Sequence, residues 1–180
     1  MDSADFSVRT GWGADAEAVA QVQVAAWRSE YDGVLPDDLL GGLDPDDLAS
    51  VWRQSIGRPA DARNRVLVAL EGDDVRGFAV TGPGSDPDLD AVADGEISEL
   101  TVHPDHQHTG HGSRLMHAAV DTLRADRFTR AVMWLTSTDD ARRTFLTESG
   151  WEPDGAHREL DLRGDGEVLV KQIRLHTSLG

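Results

Sequence analysis

Residues 96–124 have the sequence EISELTVHPDHQHTGHGSRLMHAAVDTLR, and the order of elements within this stretch decides the predicted fold. Residues 96–102 are typical of a strand, and residues 112–124 carry apolar side chains at three- and four-residue steps, which predicts a helix. Gly110 and Gly112 stand in the turn between them. Glycine permits a tight turn and a close approach to a ligand, and the first N–H groups of a helix have no internal partners. The turn is therefore suited to bind an anion such as a pyrophosphate.

Strands and helices are predicted on both sides of this stretch. Upstream, the patterns predict a strand at 6–10, a helix at 14–31, short helices at 36–43 and 45–56, and a hairpin of strands 65–70 and 75–81. Downstream, they predict a strand at 131–135, a helix at 139–149 capped by Gly150, and strands at 156–162 and 168–175. Residues 82–95 are rich in Gly, Pro and Asp, which predicts an exposed, mobile loop whose acidity could face a substrate. We expect residues 1–180 to form a single α/β (α+β) domain, with a mixed, mostly antiparallel sheet flanked by helices.

Charge and composition narrow the classes of function. The chain has 33 acidic and 17 basic residues, a formal net charge of -16, which disfavours nucleic acid and anionic membranes and favours a cationic partner. Most of this charge could equally be solvated surface. Cysteine is absent, which excludes disulfides, thiolate metal sites and a cysteine nucleophile. Without an apolar leader or a membrane-length apolar window, we expect a cytoplasmic protein.

The residues of the turn resemble a known family. They lack the third glycine of the dinucleotide fingerprint and the lysine of a phosphate loop, so those two classes are excluded. The chain is instead similar to the GNAT superfamily of N-acetyltransferases, whose motif is a strand, then V-x-P, then Q/R-x-x-G-x-G/A opening a helix. The matching residues are Val102-His103-Pro104 and Gln107-His108-Thr109-Gly110-His111-Gly112. The patterns at 25–27, 31–36 and 150–153 extend the resemblance to about residues 8–175.

The resemblance implies acetyl-CoA as co-substrate, without a metal, and direct attack of a primary amine on its thioester. It implies that the backbone of Thr101 and Val102 pairs with the pantetheine arm. The pyrophosphate would be bound by the turn, which comprises Gln107, His108, Thr109, Gly110, His111, Gly112 and Ser113. The acceptor would be bordered by the first helix and the loop after it, at Trp27, Glu30, Tyr31 and Asp32. We expect a cationic small-molecule or peptide amine; the oligomeric state stays open, a homodimer included.

Glu99 is the first candidate for the general base that takes a proton from the attacking ammonium. It lies on the strand beside the proposed thioester, where many relatives carry a glutamate, and a strand residue without a catalytic role is the alternative. Strand alternation predicts that Glu99 shares a face with Ile97 and Thr101, opposite Leu100 and Val102.

The general acid of the family has no counterpart in this sequence. Relatives often carry N-x-x-A-x-x-x-Y in the last helix, where the tyrosine can protonate the departing thiolate. Alignment on Gly150 puts Asp139, Arg142 and Leu146 at these positions. Leu146 has no proton to give, and Tyr31 is the only tyrosine in the chain, so the acid is missing or replaced.

Several alternatives stay open. The histidines near the turn could be solvated, could bind phosphate through His108 or His111, or could form a metal site, which the tightness of the turn disfavours. The tryptophans are more typical of a core than of an acceptor pocket, for which Trp27 is the best candidate. A non-catalytic acyl-CoA-binding module and an acyltransferase with another acyl group compete with acetyl transfer. A nucleic-acid-binding regulator is disfavoured by the charge.

Overall fold

The structure, a computed structural model, describes residues 5–33 and 35–180, so residues 1–4 of the predicted domain and Val34 of the 31–36 pattern lie outside the described residues. The strands are β1 (Phe6–Thr10), β2 (Arg65–Glu71), β3 (Asp74–Pro83), β4 (Asp94–Val102), β5 (Arg130–Thr136), β6 (Glu152–Asp161) and β7 (Leu169–Ser178). The helices are α1 (Ala16–Glu30), α2 (Asp37–Gly41), α3 (Pro45–Gly57), α4 (His111–Ala125) and α5 (Asp140–Glu148). Short 3-10 turns span Gly13–Asp15 and Pro104–His106.

The strands form one sheet in the order β1-β2-β3-β4-β5-β7-β6. Neighbouring strands are antiparallel except β4 and β5, which run parallel because α4 connects them as a crossover. The predicted mixed, mostly antiparallel sheet flanked by helices is confirmed. Within residues 5–33 and 35–180, no helix combines the length and the apolar character needed to cross a membrane.

Two apolar clusters hold the helices on the sheet. Leu115, Ala119 and Leu123 of α4 are fully buried at the predicted helical spacing, in the larger cluster with Ile97, Leu100 and the β5 side chains. A smaller cluster joins α1 to β2 and β3 through Val19, Val22, Val68, Leu70 and Phe78. The two clusters fix α1 and α4 on the strands that carry the functional site.

The ends of several elements differ from the predicted ones. The predicted start of the first helix is a 3-10 turn, because Asp15 accepts a hydrogen bond from the backbone N–H of Trp12 and binds Arg9, with Oδ2 2.6 and 2.7 Å from the two nitrogens. The closing hairpin is longer than predicted, since β6 begins at Glu152 and β7 continues to Ser178 in register with β5. Strand β7 lies between β5 and β6, an order that the strand patterns do not specify.

The acidic loop at 82–95 is shorter and better anchored than predicted. Strand β3 extends to Pro83 and β4 begins at Asp94. The buried guanidinium of Arg174 on β7 binds Asp86 and Asp88 of the loop at 3.0 and 2.6 Å, and Asp154 of β6 at 2.6 Å. Two acidic residues of the loop thus neutralise an internal arginine, and the prediction of a mobile loop that turns its acidity to a substrate was wrong for them.

Strand β4 contains an irregularity that determines where its side chains point. Val80 of β3 pairs with Glu99 and the next residue, Thr81, pairs with Ile97, so Ser98 is an extra residue in β4, as in a β-bulge. Ile97 and Leu100 therefore both belong to the α4-side core. The predicted alternation, which put Glu99 on the face of Ile97, was wrong because the bulge resets the alternation between them.

Strands β4 and β5 pair over a short distance only. Their parallel pairing covers Asp94–Glu96 of β4 and Arg130–Val132 of β5. Beyond these residues β4 pairs only with β3 and β5 only with β7. The two strands thus diverge in the middle of the sheet, and the β5-facing edge of β4 is left without a strand partner.

The Arg174 ion cluster predicts a large effect on stability. Replacement by methionine should leave Asp154 and Asp86 with only the more distant Arg130 and Arg158, at 3.2 and 3.9 Å. Loss of one partner of a buried ion pair costs about 3–5 kcal/mol. Urea denaturation measures the change. The matched control is Arg163→Met, since Arg163 lies on the β6–β7 turn at 3.6 Å from the half-exposed Asp165, and should change stability by less than about 0.5 kcal/mol. Equal effects of the two substitutions would contradict a structural role for the cluster.

His111 predicts a pH dependence of stability. Its ring is 1% exposed, packs edge-on against Phe6 at 5.2 Å, and neither ring nitrogen has a hydrogen-bond partner in the described residues. Burial lowers the pKa of His111, and the charge of Arg114 adds to this. The unfolded chain takes up this proton as the pH falls through about 6.5 and the folded protein does not, so stability should fall below that pH.

Urea denaturation at pH 7.5 and 5.0 tests this. The stability lost between the two pH values should be smaller in His111→Phe than in the wild type. It should be unchanged in His117→Gln, because His117 is an exposed residue of the same helix. If His111→Phe loses as much stability between the two pH values as the wild type does, carboxylates and not His111 cause the pH dependence.

Candidate active site

The turn before α4 presents backbone donors. His108 and Gly110 have positive φ values of 62° and 94°, and the helix begins at the next residue, His111. Arg114 makes the first helical hydrogen bond, from its N–H to the carbonyl of Gly110 at 3.1 Å. The N–H groups of residues 111–113 donate to no protein acceptor in the described chain. Three free donors at the positive end of a helix dipole form a site for an anion.

Space for a ligand lies beside these donors. A cavity of about 520 Å³, here called the phosphate pocket, lies between the turn, β4 and α5; its lining includes Leu100, Val102, Gln107, Gly112 and Arg142. A Cβ atom at Gly112 would have only Val102 Cγ2 nearby, at 3.9 Å. The donor set and the open space fit the pyrophosphate of CoA.

The side chains of the turn have different environments. Gln107, His108 and Ser113 are exposed and line the phosphate pocket. The hydroxyl of Thr109 donates to the carbonyl of His106 at 2.8 Å, so it stabilises the turn. The ring of His111 is buried in the interior, so of that residue only the backbone is available to a ligand in the phosphate pocket. Of the two histidines considered for phosphate, His108 alone is exposed.

The divergence of β4 and β5 opens a cleft that continues from the phosphate pocket. It holds about 370 Å³ and is lined by Glu99–Val102 of β4, Met133–Thr136 of β5 and residues from α1, α5, β6 and β7. Thr101 and Val102 are on its wall, as the pairing with a pantetheine arm requires. Leu100, Val102, Gln107, Asp139 and Arg142 line both the cleft and the phosphate pocket.

The predicted acceptor residues lie mostly at the cleft. Trp27, Glu30 and Tyr31 line it, and the rings of Trp27 and Tyr31 meet edge-on with centroids 6.0 Å apart. Asp32 is exposed and lines neither the cleft nor the phosphate pocket. The end of α1 therefore forms one side of the site, and Asp32 is outside it.

A second cavity reaches Glu99 from another direction. This α3 cavity of about 580 Å³ lies between α3, the start of β2, the end of β3 and the middle of β4. Trp52, Arg58, Asn64 and Glu96 are in its lining, and it shares Ser98 and Glu99 with the cleft. Both shared residues come from the β4 bulge. The sequence analysis missed this cavity, because its residues are distant in sequence and form no motif.

Glu99 has the protonation behaviour of a base that works near neutral pH. Burial raises the pKa of its carboxyl to about 6; Arg142 opposes the shift and Glu30 adds to it. Above that pH the group is ionised and still a stronger proton acceptor than an ordinary glutamate. Its protonation state and its position at two cavities make it the best acid–base candidate in the described site.

Helix α5 carries an arginine at the cleft, while the residue aligned with the family's acid lies in the core. Leu146 is fully buried in the larger core cluster, so it contacts neither cavity. One turn earlier, Arg142 lines both the cleft and the phosphate pocket. Sequence reasoning aligned Arg142 with a small residue of the family pattern but gave it no role; the change from a small to a charged side chain was the available signal.

The histidines near the turn form no metal site in the described parts of the chain. Nowhere in residues 5–33 and 35–180 are three His, Cys, Asp or Glu side chains grouped so that they could hold a metal ion. His103 and His106 stack edge-on at 5.4 Å, and His111 is buried apart from them.

Comparison with known proteins identifies the family. No curated protein matches this sequence. Among solved structures, ribosomal-protein-alanine N-acetyltransferase from Brucella melitensis has a TM-score of 0.73 at 17% identity, with 96% of this chain and 99% of that chain covered. PaiA N-acetyltransferase from Thermoplasma acidophilum, in complex with coenzyme A, has a TM-score of 0.71 at 13% identity, covering 97% and 99%.

YncA from Salmonella typhimurium, with its cofactor acetyl-CoA, also has a TM-score of 0.71, at 19% identity and coverage of 98% and 95%. At such low identity these structures establish the fold alone. The sequence model of the acetyltransferase (GNAT) family matches residues 24–151, which include the turn, β4, the cleft residues of α5 and the end of α1. The chain therefore belongs to the GNAT family and is an acyl-CoA-dependent acetyltransferase.

Proposed function

We propose that the protein transfers the acetyl group of acetyl-CoA to a primary amine by direct attack, with Glu99 as the general base. The observation that carries this proposal is the position of Glu99, a carboxylate of raised pKa at the bulge where the cleft and the α3 cavity meet. One cavity can hold the thioester and the other can deliver the amine. A base at their junction is within reach of the atom that loses its proton.

The contacts proposed for acetyl-CoA follow from free backbone groups. The pyrophosphate would accept hydrogen bonds from the N–H groups of His111, Gly112 and Ser113, supported by the exposed Gln107 and His108. The pantetheine arm would pair with Thr101 and Val102, on the edge of β4 that β5 leaves unpaired. This arrangement puts the thioester near Glu99, farther along the same strand.

The acceptor would approach through the α3 cavity. Glu96 and Glu99 line that cavity, and a net charge of -16 favours a cationic amine. Arg58 and Arg65 also line it, but Arg58 is an exposed residue just after α3, and the guanidinium of Arg65 is bonded to Asp126 at 2.8 and 2.9 Å, which offsets its charge. Trp27, Glu30 and Tyr31 would contact the acceptor from the α1 side. The acceptor contact of Asp32, which lines neither the cleft nor the α3 cavity, stays a prediction.

In a direct attack, Glu99 accepts one proton from the amine. The amine nitrogen attacks the thioester carbonyl carbon, a C–N bond forms, and the C–S bond breaks with its electron pair left on sulfur. The carboxylate of Glu99 accepts the proton lost by the nitrogen and returns it to solvent. The burial that raises the pKa of Glu99 also strengthens it as a base, within the limit that it must be ionised at working pH.

A turnover assay with a panel of amines tests the proposal. Thiol release from acetyl-CoA should depend on a primary amine, should be faster with di- and polyamines or basic peptides than with neutral amines, and should yield the acetylated amine by mass spectrometry. Titration calorimetry with CoA is run beside it. Binding of CoA without acetylation of any amine would leave an acyl-CoA-binding module, and faster turnover of a longer acyl-CoA would change the assigned acyl group.

Gly112→Ala should weaken CoA binding about tenfold or more. The added methyl has room in the free protein but stands beside the donors that a phosphate must approach. Alanine also favours the helix by up to about 1 kcal/mol, so thermal stability should not fall. Calorimetry measures the affinity. Gly13→Ala, at another position with open space for a methyl group, is the control and should bind CoA normally; normal binding by Gly112→Ala as well would remove the turn from the pyrophosphate site.

Glu99→Gln should lower kcat by about 10²-fold or more near pH 7 with little change in CoA affinity, the range typical of a general base. The wild-type rate should fall as the pH drops through about 6, where Glu99 takes up its proton. The variant should lack this acidic limb of the pH–rate profile, and its rate should recover in part at high pH, as free amine accumulates. Fixed-time activity assays from pH 5 to 9 give the pH–rate profiles of the wild type and the variant.

Glu96→Gln is the matched control, since Glu96 lies on the same strand and lines the same cavity, with Oε2 bonded to the hydroxyl and N–H of Ser85 at 2.8 and 3.1 Å. It should keep the limb near pH 6. Loss of the limb in Glu96→Gln, with the limb intact in Glu99→Gln, would transfer the role of base to Glu96.

A further inference from the structure

The departing sulfur needs a stabilising group that the usual position in α5 does not supply. Cleavage of the C–S bond leaves a negative charge on sulfur. The residue aligned with the family's tyrosine is Leu146, which is fully buried in the core and has no proton to donate. Another group at the cleft must therefore stabilise the charge. This inference depends on the proposed acetyl transfer.

Arg142 has the position and the free donors for this role. It lies one helical turn before Leu146 and lines both the cleft, together with Glu99, and the phosphate pocket, together with the turn before α4. Its Nε is 3.6 Å from Oδ2 of Asp139, whose Oδ1 caps α5 by accepting from the Arg142 N–H at 3.0 Å. Its terminal guanidinium nitrogens donate to no protein acceptor in the described residues.

The charge of Arg142 acts across the cleft. It lowers the pKa values of Glu99 on β4 and of Glu30 and Tyr31 at the end of α1, against the larger effect of burial. Arg158 is the other arginine in the described lining of the cleft, but its Nε donates to Gln172 at 2.8 Å, and its guanidinium stacks on Trp134 at 4.2 Å and lies 3.9 Å from Asp86. Arg158 does not line the phosphate pocket, so Arg142 is the arginine that lines both cavities along the proposed path of CoA.

We propose that Arg142 stabilises the leaving thiolate of CoA by its charge, replacing the proton donor that Leu146 cannot provide. As the amine forms its C–N bond and the C–S bond breaks, the electron pair stays on sulfur beside the guanidinium. The proton of the amine goes to Glu99, and the thiolate takes a proton from solvent after release. A guanidinium keeps its own proton throughout, so this step needs no acid.

Tyr31 is the competing candidate. Its hydroxyl is in the same cleft and donates to no acceptor in the described residues. Burial raises its pKa to about 12, with Glu30 and Glu99 adding to the shift. A thiol titrates near 8.5, so transfer of the phenol proton to the thiolate would be uphill by a pKa difference of about 3.5. Charge stabilisation by Arg142 has no such cost.

The pKa of the CoA thiol on the protein tests the proposal without turnover. CoA is bound to excess protein, and its thiolate is followed by ultraviolet absorbance and by the pH dependence of alkylation. An opposite charge within a few ångströms shifts a pKa by about one unit or more, so the bound thiol should titrate at least about one unit below free CoA. Glu30, Glu99, Asp139, His106 and His108 also face these cavities. Their charges are common to all variants.

Three substitutions separate the interpretations. Arg142→Gln should return the thiol pKa to the value of free CoA or above it, because the carboxylates remain; Arg142→Lys should keep most of the decrease, and Tyr31→Phe all of it. The glutamine variant should also lose about tenfold in kcat, the equivalent of one pKa unit. At pH 6, where the thiol of CoA is protonated, Arg142→Gln should bind CoA as tightly as the wild type does.

Four results would overturn the proposal. These are a wild-type thiol pKa equal to that of free CoA, an unchanged pKa in Arg142→Gln, loss of the decrease in Tyr31→Phe but not in Arg142→Gln, and a large loss of CoA affinity at pH 6 in Arg142→Gln, which would make Arg142 a phosphate ligand. Circular dichroism checks that the variants fold. Failure of the wild type to bind CoA at all would instead overturn the proposed function, and this inference with it.

Discussion

The separation of β4 from β5 is the constraint on which the site depends. A parallel pair normally continues until one strand ends, but here pairing stops after three residues of each strand although both continue. The bulge at Ser98 bends β4 and resets which side chains face the core. An unpaired strand edge is a liability on a surface, yet inside a sheet it provides backbone donors and acceptors for an extended ligand. The cleft, the position of Glu99 and the access from two cavities all follow from this separation.

Electrostatics explain how an acidic protein can accept an anion. The charge of -16 is distributed over the molecule, and part of it is neutralised internally, as around Arg174. At the turn before α4, free backbone N–H groups stand at the positive end of a helix dipole, and such groups attract phosphate without a net positive charge. The first turn of α4 contains no acidic residue. The electrostatic field of the whole molecule can therefore favour a cationic partner while the local site favours an anionic one.

The cleft itself contains opposed charges. Burial disfavours ionisation of Glu99, while Arg142 favours it, and the balance gives a pKa of about 6. The carboxylate of Glu99 on β4 and the guanidinium of Arg142 on α5 belong to residues that line the same cleft. In a partly buried site such charges act more strongly than in water. The proposed reaction would create a cationic nitrogen and an anionic sulfur, and Glu99 and Arg142 carry the charges opposite to these.

The sequence by itself determined the turn and the elements around it. Gly110, Gly112 and the apolar spacing of α4 are local signals, since backbone freedom and helical periodicity act over a few residues. The family resemblance came from the same segment, and Glu99 was chosen with its help. Strand and helix positions were predicted to within a few residues, apart from the closing hairpin and the ends of the acidic loop.

Only the tertiary structure decided which distant residues meet. The bulge at Ser98 depends on pairing with β3, so strand alternation gave Glu99 the wrong neighbours. The binding of Asp86 and Asp88 to Arg174 spans more than 80 residues of sequence, and composition alone indicated a mobile loop. The burial of His111 against Phe6 and the position of Arg142 between two cavities likewise result from packing between elements. Local sequence fixes backbone preferences, whereas burial, ion pairing and pKa depend on what the folded chain brings together.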